Sequence, residues 1–130
     1  MNENYRSFFG LKKEPFGTDI ALNDILETGQ LLDVKTRFDY VTRLGAVGLV
    51  TGEVGSGKST AVRYAEGHLH PSEYRSIYIT ASSGSIMELY RQMLSKLSIH
   101  RNSNSKTTMR RLIKKEITDL VLEKKLNLIQ

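Results

Sequence analysis

Apolar positions recur at helical spacing in four stretches of this chain and cluster into short continuous runs in three others. Leu31, Val34, Phe38, Val41 and Leu44 return every three or four residues, which puts one apolar stripe on a helix. Gly45 supplies its stop. Residues 46–51 (AVGLVT) follow at once, a run rich in β-formers that predicts a buried parallel strand. Ala61, Val62, Ala65 and Leu69 then predict a helix beginning near Lys58, and residues 76–80 (SIYIT) predict a second strand. Ile86, Leu89, Tyr90, Met93, Leu94 and Leu97 share one face of a helix that a serine cluster caps. A last helix is expected over 107–125, with Met109, Leu112, Ile113, Ile117, Leu120 and Val121 inward and Arg110, Arg111, Lys114 and Lys115 roughly opposite. Residues 126–129 read as the opening of a third strand.

A strand, loop, helix, strand order demands a right-handed crossover and a parallel sheet. The expected fold is therefore α/β, a three-layer architecture around a parallel sheet, with residues 1–130 as the N-terminal part of a single domain. Ahead of this unit the aromatics Tyr5, Phe8, Phe9 and Phe16 surround a Pro15-Phe16-Gly17 break. Exposed rings are costly, so this segment should pack on the body of the domain or on a ligand. Phe16 and Ile20 are candidates for the apolar wall a nucleotide base needs.

The junction between the first strand and the following helix carries the chemistry. Gly52-Glu53-Val54-Gly55-Ser56-Gly57-Lys58-Ser59 fits the pattern of glycine, four residues, then Gly-Lys-Ser. Glycines let the backbone curl until several N–H groups converge on phosphates, the lysine ammonium reaches the outer phosphates, and the hydroxyl of Ser59 can ligate Mg2+. The helix that leaves the loop points its positive end at the same place. Thr60, on its first turn, can reach the α-phosphate. Thr80 and Ser82, at the end of the second predicted strand, are weaker candidates because strand ends face the ligand crevice in open α/β sheets.

Composition narrows the class. With no cysteine there is neither a disulfide framework nor a thiolate metal site. His68 and His70 lie two apart with no third ligand nearby, which favours surface histidines over a metal site. No signal-peptide core and no run long enough to span a bilayer is present, so a cytoplasmic protein is expected. The net charge of +5 lies entirely in residues 101–130, where eight Lys and Arg meet three Asp and Glu. Such a segment is a wetted helix face or an attachment point for DNA through phosphate neutralisation.

Hydrolysis by a phosphate loop further requires an acidic residue at a neighbouring strand end to hold Mg2+. Neither predicted strand ends in one. Asp119 and Glu88 fall within helices and Glu53 within the loop, so no catalytic residue is identified. The hydrolytic half is expected beyond Gln130. FFGLKKEPFGTDI, a helix, GLVTGEVGSGKST and then HPSEYRSIYIT together resemble the AAA+ ATPases similar to general secretion pathway protein A, in particular those that accompany transposases in mobile elements. The resemblance implies that Gly52 through Thr60 form the Walker A segment and that ATP and Mg2+ are the cofactors. It also implies that the chain stops before the Walker B pair, and that the intact protein oligomerises. It further implies either a transposase partner and DNA, or a secretion partner.

Overall fold

The structure, a computed structural model, describes residues 4–81, 84–101 and 103–127, with side chains described to residue 123. Ser82, one of the weaker site candidates, lies outside these residues. The regular elements are helical: α1 (Asn4–Phe8), a 3-10 turn (Leu22–Asp24), α2 (Gly29–Leu44), α3 (Lys58–Gly67), α4 (Ile86–Lys96) and α5 (Lys106–Asn127). They form two compact units, residues 1–70 and 71–130.

The expected parallel sheet is absent: among the described residues there is no strand. The physical reason is that a strand needs a partner for its N–H and C=O groups, whereas a helix satisfies its own. Residues 46–51 are the single β-patterned run of their unit. They run unpaired, with Val47 and Leu49 at 98% and 87% exposure. Residues 76–80 are likewise irregular, with Ile77 and Tyr78 exposed. The anticipated third strand is corrected too, because Leu126 and Asn127 continue α5; residues 128–130 lie outside the description.

The helices themselves follow from local signals. Thr28 caps α2, its hydroxyl accepting from the Leu31 N–H at 3.2 Å. Gly45 ends α2 in the left-handed conformation (φ 62°, ψ 32°), and the Ala46 N–H turns back to the Val41 carbonyl at 3.0 Å. Ser85 caps α4 by accepting from the Glu88 N–H. α4 then closes with the Ile99 N–H on the Leu94 carbonyl at 2.9 Å, which requires Ser98 to take φ 61°.

Each unit has its own small core. In the first, α2 packs on α3 through Leu31, Ala61 and Tyr64, joined by Ile25 and flanked by Ile20, Leu22 and Val34. Arg63 of α3 pins the preceding loop by donating to the carbonyls of Thr18, at 2.8 Å, and Ile20. The buried Tyr64 donates its hydroxyl to the Glu27 carboxylate at 2.6 Å, and this bond, with burial, pushes the phenol pKa up from 10.0. In the second unit α4 packs on α5 through Leu94, Leu97, Met109 and Ile113. Only part of the expected α5 stripe is buried, since Ile117 and Val121 stand about half exposed. The N-terminal aromatics also depart from expectation. Phe8, Phe9 and Phe16 are largely exposed, and Phe8 and Phe9 stack edge to face at 4.9 Å. α1 spans five residues, too few to present a continuous apolar face to a core.

Candidate functional site

The loop between residues 51 and 61 takes its shape from its glycines. Gly55 (φ 80°) and Gly57 (φ 90°, ψ 17°) both occupy the left-handed region that glycine alone enters without strain. Gly52 is crowded in another way: a Cβ there would lie 2.8 Å from the Ser56 hydroxyl oxygen, which would have to turn aside. The Ser56 N–H closes a turn on the Glu53 carbonyl at 3.2 Å, and the Ala61 N–H reaches the Gly57 carbonyl at 2.9 Å as α3 begins. Gly57 is the N-cap of α3, and no side chain caps it.

This geometry leaves a set of donors with no protein acceptor. Among the described residues the N–H groups of Gly55, Gly57, Lys58, Ser59 and Thr60 make no hydrogen bond within the chain. Three of them are the first N–H groups of a helix, which no intrahelical carbonyl can satisfy. The half-buried Lys58 folds back over the loop, its Nζ donating to the Gly52 and Glu53 carbonyls at 2.7 and 2.6 Å. An ammonium carried on the first residue of α3, with unpaired amides at the positive end of that helix, is a combination suited to an anion.

The loop forms one wall of a cleft of about 580 Å³, within the range usual for small-molecule sites. Gly52, Ser56, Gly57, Lys58 and Thr60 line it, whereas Glu53, Val54, Gly55 and Ser59 are exposed outside its lining. Much of the remaining lining lies outside the motif and, apart from Val34 of the α2 stripe, comes from residues that the sequence pattern did not single out. Ile25, Leu26 and Val34 make it apolar, and Gln30, Asp33 and Arg37 give it polar groups. Their signal was present in the sequence: Gln30, Asp33 and Arg37 follow one another at i, i+3 and i+7, along one edge of the stripe read as core. Ile20 packs against the core of this unit, and Phe16 is solvent-exposed; neither lines the cleft. Thr80 lies exposed in the other unit.

The residues present fit a nucleotide and its metal by donor chemistry. Unpaired amides and one ammonium suit a phosphate tail, and the Ser59 hydroxyl on the first turn of α3 offers a hard oxygen suited to Mg2+. No group of three or more potential metal-ligating side chains occurs among the described residues, so a metal here would depend largely on oxygens from the phosphate tail and water.

The second unit carries the charged surface. Arg110, Arg111, Lys114 and Lys115 are all exposed on α5, as expected, and Tyr90, Met93 and Ile113 underlie the groove beside the first three. No helix among the described residues is long and apolar enough to cross a membrane.

A family model described as "AAA domain" matches residues 42–129, a span that includes the whole phosphate-loop motif. No curated protein and no solved structure gives a match.

Proposed function

The chain belongs to the AAA domain family, and from that premise we propose that it binds ATP with Mg2+ through Gly52–Thr60, as the nucleotide-binding portion of an ATPase-type protein of the cytoplasm. The observation that supports this reading is that the N–H groups of Gly57, Lys58 and Thr60 make no hydrogen bond within the chain and that these residues line one cleft. Lys58, which donates to the Gly52 and Glu53 carbonyls, would turn its ammonium to the phosphate tail when nucleotide is bound. Ser59 holds Mg2+, which when bound neutralises charge on the outer phosphates. Ile25, Leu26 and Val34 supply the apolar surface for the base, in place of Phe16.

Titration of the 130-residue chain with Mg-ATP, followed through its backbone amide signals, tests this directly. The signals of residues 52–61 should move most, and Lys58→Ala should weaken binding at least about tenfold, the worth of one charge-assisted contact. A loop whose signals stay fixed at saturating nucleotide would refute the assignment.

The basic face of α5 favours a further element of the reading, that the intact protein acts on DNA as an ATP-controlled helper of a transposase rather than in secretion. Arg110, Arg111, Lys114 and Lys115 are exposed together, and cations so placed neutralise backbone phosphates at a salt-dependent gain. Retention on DNA should fall steeply between low and moderate salt, and should weaken when Arg110 and Lys114 are both changed to Ala. DNA binding that ignores either change would rule this element out.

A further inference from the structure

We propose that Arg37 is a second cation for the phosphate tail, facing Lys58 across the cleft and setting the preference for a polyphosphate over a nucleoside. The inference rests on the nucleotide reading of the same cleft and assigns a role to a residue outside the glycine-rich motif.

The register of α2 against α3 carries the argument. Near the start of α2, Glu27 accepts a hydrogen bond from Tyr64 of α3. Further along, Leu31 belongs to the cluster that holds both Ala61 and Tyr64, and Val34 packs against that cluster. Arg37 lies ten residues after Glu27 and Lys58 six before Tyr64, separations of about 15 and 9 Å at a rise of about 1.5 Å per residue, so an antiparallel run of the two helices brings Arg37 toward the start of α3. Cleft geometry agrees, because Arg37, Gly57 and Lys58 all line it. The apolar Ile25 and Leu26 precede α2 and Arg37 lies about two turns into it, with Asp33 and Val34 between them in the lining.

Arg37 is also uncommitted. It is exposed and, among the described residues, makes no ion pair or hydrogen bond, although Asp33 lies four residues earlier on the same helix. The neighbouring Lys35 instead pairs with Asp39 at 2.9 Å. A guanidinium with five free donors in a fixed fork suits phosphate oxygens well.

Calorimetric titration of the full chain with adenosine, ADP and ATP, each with Mg2+, tests the assignment. Arg37→Ala should weaken ATP binding about tenfold and ADP binding less, and leave adenosine binding unchanged. Arg37→Lys should recover part of the loss, as a point charge replaces the fork. An unpaired surface residue can be changed without loss of fold, which an unaltered thermal melt would verify. ATP binding by Arg37→Ala at wild-type strength, or an equal loss for adenosine and ATP, would overturn the role of Arg37 alone. A wild-type chain that binds no ATP would overturn this role together with the nucleotide reading.

Discussion

Gly57 offers a way to measure what the phosphate loop costs the fold. At φ 90° and ψ 17° it sits where an L-residue suffers contact between its Cβ and its own backbone, yet nothing else lies within 4 Å of the Cβ that alanine would add. The penalty for Gly57→Ala is therefore purely conformational, about 1–2 kcal/mol. Gly29 gives the matched control. There too an added Cβ would meet open space, but the φ of Gly29 is not positive and the residue begins α2. Gly29→Ala should accordingly leave stability unchanged or raise it by about 0.5–1 kcal/mol, through the smaller entropy of the unfolded chain. Urea unfolding followed by circular dichroism reads both values, with equal slopes required for the comparison. The two substitutions add the same methyl group to the same unit, so their difference isolates backbone strain. Should Gly57→Ala prove as stable as wild type, or Gly29→Ala as damaging, the left-handed geometry of the loop would be wrong. The donors that the proposed function assigns to a phosphate would be misplaced as well.

Two further outcomes test other parts of the structure. Ser98 is the non-glycine residue at positive φ (61°) among the described residues, held there by the closure of α4 on Leu94, so Ser98→Gly should stabilise the chain by about 0.5–1 kcal/mol in the same urea assay; a loss of stability would mean that the serine side chain contributes what the backbone forfeits. Tyr64 titrates above its ordinary value of 10.0, chiefly because of its hydrogen bond to Glu27, so the folded chain keeps a proton that the unfolded chain releases. Its stabilisation should be complete below about pH 10 and decline as pH rises beyond that value toward the raised folded pKa. Wild type should lose stability relative to Tyr64→Phe over that window, and parallel curves for the two would contradict the bond.

How much of this was legible in the sequence depended on whether each element answers to its own residues. The helix stripes did: Leu31 to Leu44 ended at Gly45 as read, and Ile86 to Leu97 began at a serine cap. The phosphate-loop glycines were legible for the same reason, because the need for positive φ at Gly55 and Gly57 is a property of those positions alone. The opposite wall of the cleft was not. Gln30, Asp33 and Arg37 acquire meaning only once α2 lies beside α3, and the stripe next to them explained the helix without them.

The strands failed on the same principle. A run such as AVGLVT states that its side chains would suit a pleated, half-buried surface; it does not state that such a surface exists. In a helix each backbone group finds its partner four residues away, so local pattern is nearly sufficient. A β-run has to find another segment, and the unit of residues 1–70 contains no second run of that pattern. Val47 and Leu49 are consequently left in the open, and the backbone leading into the loop is not held by a ladder. The loop is fixed instead from its far side, where α3 is locked to α2 through Ala61 and Tyr64 and to the preceding chain through Arg63. It follows that the position of Lys58 depends on those contacts, and that loosening them should disturb the proposed anion site even though none of the three residues carries the motif.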